Sequence, residues 1–219
     1  MELYSGPLSL FSAKVRIALD EKSIPFELID VPWTATGGYS PKHPMVERYN
    51  PKLQVPVLVD ADLGLYDSTI ILEYLEELVP EPRLYPSERK ARARCRQLEL
   101  ESDEVHFAPV RDLIGVSFYP RQRGETPDAE REAELKAQIA AYHERLADHL
   151  GAEEFLCGEF SVADISHYLT AFFAAGFGAA IDRRHENLQG WLGRVGARPS
   201  VARDIAQMTS ALAEASQGA

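Results

Sequence analysis

The stretch ELYSGPLSLFSAKVRIALDEKSIPFELIDV, Glu2 to Val31, decides the fold. Glu2 to Ser5 reads as a short strand, and Gly6-Pro7 breaks it. Val15, Ala18 and Leu19 then recur at helical spacing, which predicts an amphipathic helix from about Ser12 to Lys22. Ile24-Pro25 stops that helix. Phe26 to Val31 alternates and carries β-favouring side chains, so a second strand follows. A β-α-β start implies a parallel strand pair.

Outward from this unit, Pro32 to Pro51 holds Gly37, Gly38, Pro41 and Pro44 with little periodicity, and predicts an irregular segment with one short helix near Met45 to Tyr49. Pro56 to Asp60 and Leu63 to Tyr66 flank an Asp60-Ala61-Asp62 turn, an antiparallel hairpin. Asp67 and Ser68 open a helix with Ile71, Tyr74, Leu75 and Leu78 as its expected buried face, and Pro80 and Pro82 end it. The order β-α-β-α-β-β-α is that of a thioredoxin-like α/β domain with a mixed four-stranded sheet. Beyond the prolines strand signals stop. Leu135, Ile139, Tyr142, Leu146 and Leu150 repeat at three- and four-residue steps, and the remainder reads as an all-α domain. The expected partition is 1–79, a linker at 80–88, and 89–219.

Composition narrows the function classes. A chain of 219 residues has room for two modules. Its net charge of -11 disfavours polyphosphate partners. The basic run Arg89, Lys90, Arg92, Arg94, Arg96 would spread around a helix and is followed at once by Glu99, Glu101, Asp103 and Glu104, so nucleic acid is set aside in favour of a solvated or dimer-facing surface. Cys95 and Cys157 stand far apart without metal-ligand spacing, which suits a reducing compartment and no metal. The N-terminus lacks a signal-peptide pattern, and no stretch approaches 18 uninterrupted apolar residues, so a cytoplasmic protein without a membrane partner is expected.

Chemistry-bearing residues cluster in three segments. The loop from Ser5 to Ser12 runs straight into the first helix, whose N-terminus carries partial positive charge that favours an anion. A hydroxyl at Ser9 can donate to a thiolate held there. Lowering a thiol pKa from about 8.5 by two units takes roughly 2.7 kcal/mol, which a charge-assisted hydrogen bond of ~1.5–3 kcal/mol plus the dipole supplies. Helix capping by Ser9 or Ser12 is the alternative role. The second segment, Asn50-Pro51-Lys52-Leu53-Gln54-Val55-Pro56-Val57-Leu58, is followed by the third, Tyr66-Asp67-Ser68 with Ile71 to Leu75. Together they resemble the N-terminal domain of the glutathione transferases, and Phe155 to Ile165 with Arg198 to Arg203 resembles its C-terminal signatures, so the likeness spans the chain.

That resemblance implies glutathione as co-substrate, a cis Pro56, and a Val55 backbone that pairs with the tripeptide like an added strand. It further implies that Asp67 and Ser68 hold the γ-glutamyl end and that Gln54 helps hold the tripeptide, whereas Lys52 reads as a solvated loop lysine. His43 lies where some members recruit a side chain for the glycyl carboxylate. Read without the resemblance, Asp67 and Ser68 are helix-cap residues and His43 a loop histidine. Ser161-x-x-Asp164 is a variant capping box assigned to folding.

Aligning Lys14 to Leu19 with the serine and cysteine classes, among zeta-, theta- and omega-like members, puts Ser9 on the catalytic position and Ser12 where a second redox cysteine would sit. With both sulfurs absent, mixed-disulfide reduction is disfavoured. Tyr4 is the tyrosine-type competitor, and strand alternation makes it a core or sheet-face residue. The expected reaction is attack of glutathione thiolate on a small electrophile in a homodimer, with His106, Phe107, Val110, Arg111 and Tyr119 as candidates for the second-substrate pocket. A glutathione-dependent isomerase of small diacids, of maleylacetoacetate or maleylpyruvate type, and a non-catalytic transferase-like binding protein are the alternatives.

Overall fold

The structure, a computed structural model, describes residues 1–34, 38–40 and 42–217, with side chains up to residue 213. Gly37 and Pro41 of the irregular segment lie outside the described residues. The chain divides into two compact units, Met1–Leu84 with Arg198–Ala219, and Tyr85–Ala197.

In the first unit β1 (Glu2–Ser5), α1 (Leu10–Glu21), β2 (Glu27–Asp30), α2 (Pro44–Tyr49), β3 (Val57–Asp60), β4 (Leu63–Tyr66) and α3 (Ser68–Leu78) follow the expected order. The strands form one mixed sheet in the order β2-β1-β3-β4, with β1 parallel to β2 and antiparallel to β3, and β3 antiparallel to β4. Strand alternation sends Tyr4, Val57 and Val59 to one face, where they pack with Val46 of α2 and with Val31 and Val55. Leu3 and Leu58, both fully buried, point to the opposite face. On α3, Ile71 and Leu75 are buried as the periodicity predicts, but Leu78 is 45% exposed. Leu72 and Glu76 take the buried positions instead. Glu76 is drawn in by charge: its carboxylate pairs with the Lys22 ammonium at 2.6 Å and accepts the Leu84 N–H at 3.0 Å. Lys22 also donates to the carbonyls of Val79 and Pro82, at 2.8 and 2.9 Å. These bonds tie the proline-rich stretch to the sheet unit.

The last helix, α9 (Pro199–Gln217), also belongs to this unit, so the contacts divide the chain differently from the partition at 80–88. Buried Arg16 on α1 makes a bidentate pair with Asp204 on α9, Nε to Oδ2 at 2.7 Å and Nη2 to Oδ1 at 2.8 Å. Glu21 accepts from Arg198 and Ser200, and Asp20 from Arg203. Complementary charges on α1 and α9, invisible to hydrophobic periodicity, select this pairing.

The second unit is helical: α4 (Arg89–Glu101), α5 (Phe107–Gln122), α6 (Ala129–Leu150), α7 (Val162–Gly176) and α8 (Glu186–Gly196), with a π-helical turn at Ser102–His106 between α4 and α5. Leu135, Ile139, Tyr142, Leu146 and Leu150 are all buried on α6, as their spacing predicts. The capping box at Ser161 is present: the Ser161 N–H and Oγ–H both donate to Asp164 Oδ2, at 3.0 and 2.9 Å. Asp164 Oδ1 accepts the Leu156 N–H at 2.9 Å and the Trp191 indole N–H at 2.8 Å, joining α7 to α8.

Three buried histidines cross the same core. His167 Nε2 must donate to the Leu98 carbonyl, 3.0 Å away, which leaves its Nδ1 an acceptor. His106 Nδ1 therefore donates to His167 Nδ1 at 3.3 Å, and His143 Nε2 donates to His106 Nε2 at 3.2 Å. One carbonyl thus fixes three neutral tautomers.

Candidate active site

The pairing Tyr4↔Val57 and Val57↔Tyr66 places the C-terminal end of β1, the N-terminal end of β3 and the C-terminal end of β4 at one end of the sheet. The three segments singled out in the sequence leave from those ends. Topology therefore brings Ser9, the Gln54-Val55-Pro56 run and the Asp67-Ser68 pair to the same side of the first unit.

Ser9 is the N-cap of α1, with extended backbone and a side chain almost entirely buried. Its Oγ accepts the Ser12 N–H at 3.2 Å. A hydroxyl that accepts in this way still has its own hydrogen to donate, so capping and thiolate binding are compatible at one atom. Ser12, fully buried, turns inward and accepts the Gly6 N–H at 3.2 Å. Tyr39 closes the loop from outside by accepting the Leu8 N–H at 3.1 Å. A Cβ at position 6 would sit 2.4 Å from the Tyr39 ring, so this approach requires glycine. Arg16 supports the loop from beneath, donating to Ser5 Oγ at 2.6 Å and to the Gly6 carbonyl at 3.2 Å.

Tyr4 stands apart from this arrangement. Its hydroxyl donates to Glu2 at 2.7 Å, and its ring lies 4.7 Å from the His43 ring. Burial, reinforced by the Glu2 carboxylate, pushes its pKa up to about 12.

The Val55-Pro56 peptide is cis. Asn50, buried at the end of α2, shapes the loop before it: Oδ1 accepts the Lys52 N–H at 2.9 Å, and Nδ2 donates to the Gln54 carbonyl at 2.7 Å. Gln54 is exposed, whereas the Val55 side chain joins the core. His43 caps α2, with Nδ1 accepting the Met45 N–H at 3.2 Å. Nε2 is then the ring's remaining hydrogen-bonding atom.

Asp67 holds a left-handed backbone, φ 75°, and makes no side-chain cap bond to α3. Its carboxylate instead pairs with the Lys52 ammonium at 3.0 Å. Ser68 is buried, and its Oγ has no hydrogen-bond partner among the described residues.

A cavity of about 580 Å³ opens in the same unit beside Pro7 and Leu8, with Leu28, Pro32 and Trp33 on one wall and Gln207 and Ser210 of α9 on another. Of the pocket candidates on the helical unit, His106 and Val110 are corrected to fully buried core residues, and Arg111 is exposed beside Asp112. Phe107 packs against the core around Val110, while Tyr119 is 41% exposed. Among the described residues no group of three or more His, Cys, Asp or Glu side chains is placed to hold a metal ion. No helix there is long and apolar enough to cross a membrane. Tyr39, Asn50, Arg16 and Asp204 carry the loops of the site yet were not singled out from sequence. Only the Asn-Pro that opens the second segment hinted at one of them.

Comparison with known proteins agrees with this geometry. Residues 3–83 match the glutathione S-transferase N-terminal domain and residues 107–199 the C-terminal domain. Glutathione S-transferase 3 of Zea mays is 30% identical over 215 residues, 94% of this chain and 93% of that protein. A stringent starvation protein A homolog of Coxiella burnetii is 43% identical over 98 residues, 45% of this chain and 44% of that one. A glutathione S-transferase structure from Rhodospirillum rubrum superposes with a TM-score of 0.79 at 28% identity, over 91% of this chain and 89% of that one. Both domain matches and a full-length relative point the same way as the sheet end: the chain belongs to the glutathione S-transferase family.

Proposed function

We propose that the chain is a serine-site glutathione transferase that adds the glutathione thiolate to small electrophiles, working as a cytoplasmic homodimer in detoxification. The reading rests on one observation above the others: a buried Ser68 hydroxyl without a partner among the described residues stands at the same sheet end as the Ser9 hydroxyl. In this proposal Asp67 accepts from the α-ammonium of glutathione, while Ser68 and the N-terminus of α3 bind its α-carboxylate. Val55 pairs with the cysteinyl backbone. Gln54 and the His43 Nε2 serve the glycyl end. Ser9 donates to the sulfur, and the N-terminus of α1 favours the thiolate. The cavity beside Pro7 and Leu8 takes the apolar part of the electrophile.

An isomerase of small diacids is the second reading. It is favoured by a probable maleylacetoacetate isomerase of Vibrio cholerae, 33% identical over 123 residues and 56% of each chain. Incubating the pure protein with glutathione and a panel of electrophiles, followed by mass spectrometry, separates the readings. Thioether adducts support the transferase, isomerised diacids without adducts support the isomerase, and glutathione binding without either product supports a binding protein.

A further inference from the structure

The cavity beside Pro7 and Leu8 has walls of unlike character. Leu28 and Asp30 stand two residues apart on β2, the edge strand beside β1, so their side chains share one face of the sheet. Register sets Leu28 against Leu3 and Asp30 against Ser5, on the face where Arg16 of α1 reaches Ser5 Oγ at 2.6 Å. The half-buried Trp33, just beyond the strand, and Gln207 and Ser210 on α9 complete the wall. Leu28 is 42% exposed because its side chain lines this opening and not the core.

Arg16 and Asp30 are the charged residues that line the cavity. Arg16 brings no net charge to it: the guanidinium is buried, is held bidentate by Asp204 at 2.7 and 2.8 Å, and spends its remaining edge on Ser5 Oγ and the Gly6 carbonyl. The Asp30 carboxylate is exposed and makes no hydrogen bond or ion pair among the described residues. Uncompensated charge in the cavity is therefore negative, and the net charge of -11 on the chain has the same sign. A cation entering here gains from the carboxylate and from the face of an indole. A carboxylate entering here is repelled.

We propose that Asp30 is a specificity-determining residue, and that with Trp33 it makes the cavity select electrophiles that carry a cationic group on an apolar or aromatic body. Electrophiles bearing carboxylates are rejected, and the small diacids of the isomerase reading fall among them. The inference rests on the transferase reading and names the substrate class of that same site. Discrimination is a difference of two affinities, one raised and one lowered by a single charge. An exposed charge contact is worth a factor of about 1.5 to 5. Gained by the cation and lost by the anion, it separates matched substrates by about 2- to 25-fold.

The test gives the whole protein, with glutathione, three benzyl chlorides of one shape: 4-(chloromethyl)benzyltrimethylammonium, 4-(chloromethyl)benzyl alcohol and 4-(chloromethyl)benzoate. In each the glutathione thiolate attacks the benzylic carbon, a C–S bond forms, the C–Cl bond breaks, and chloride leaves with the electron pair. Rates are taken relative to the uncatalysed reaction of the same compound. The expected order of kcat/KM is cation, alcohol, carboxylate, with the difference in KM because the contact is the same before and during the reaction. The cation-to-carboxylate ratio should shrink in about 0.5 M salt, as screening requires, and Asp30→Asn should bring it toward one. The wild-type ratio and its salt dependence do not depend on the variant folding. A ratio of one or below, a ratio carried by kcat and indifferent to salt, or a ratio that Asp30→Asn leaves intact overturns the proposal. Thioethers formed alongside such a result leave the transferase reading standing, whereas no catalysed thioether from any of the three removes both.

Discussion

At the residue scale, the hydroxyl of Ser9 both caps α1 and retains a hydrogen for a sulfur, so its removal should have two separable effects. Ser9→Ala should cost about 0.5–2 kcal/mol of stability through the lost cap. It should also raise the pKa of bound glutathione by roughly one to two units. Turnover at neutral pH is then expected to fall about tenfold to a hundredfold and to recover partly at high pH. A thiolate absorbance titration reads the second effect alone, with Ser12→Ala as control, because Ser12 faces Gly6 and is expected to alter stability more than thiolate pKa. If Tyr4→Phe shifts the pKa and Ser9→Ala does not, the hydroxyl has been assigned to the wrong residue. Asp67→Ala and Ser68→Ala should each weaken glutathione binding by about 1–3 kcal/mol in calorimetry. Affinity that survives both changes would make the pair structural only. Gly6→Ala puts a methyl group into the Tyr39 ring, and should raise the KM for glutathione while leaving the second unit's thermal transition unmoved.

At the element scale, the histidine chain through the π-helical turn, α6 and α7 gives the helical unit a pH dependence. Burial holds His106 well below the ordinary histidine range and lowers His143 to about 4, with the neighbouring histidines and Arg145 adding to the effect on His106 and His185 to that on His143. Both folded-state values lie below the unfolded value near 6.5, so the unfolded chain binds more protons between them. Stability is whole above about pH 6.5 and falls as the pH drops toward 4, by up to roughly 1.4 kcal/mol per pH unit for each histidine. Urea midpoints at pH 7, 5.5 and 4.5 should show this slope, and His143→Gln, which keeps a donor toward His106, should flatten it. Equal slopes in both proteins would remove His143 from the account. None of this was legible in the sequence, because each histidine lies on a different element and only the fold makes them neighbours. The sheet elements were legible for the opposite reason. Their alternation and their glycine and proline breaks are local, and the order β-α-β-α-β-β-α needs no distant partner to be read. Leu78 shows the limit: its spacing fits the buried stripe, yet the Lys22 ammonium draws Glu76 inward and leaves Leu78 in solvent.

At the scale of the whole molecule, the family and its two-unit build were readable from ordered motifs, whereas the place of α9 was not. Two ion pairs between α1 and α9, with a third from Arg198 just before α9, decide it, and charges so far apart in sequence carry no periodic signal. A homodimer should sediment at twice the 24.4 kDa chain mass at micromolar concentration, and a single-chain species would argue against it. The α1–α9 pairing also sets an order on the birth of the molecule. A ribosome makes the sheet of residues 1–84 before residues 85–197, and the helix that completes its unit comes after both. Residues 85–197 emerge in between and have every helix of their own unit before Arg198 appears. At about 5–20 residues per second the sheet waits on the order of ten seconds for its missing partner. The unit synthesised second is therefore the unit equipped to finish first, and the loop that carries Ser9 gains its Arg16–Asp204 support only once α9 has emerged.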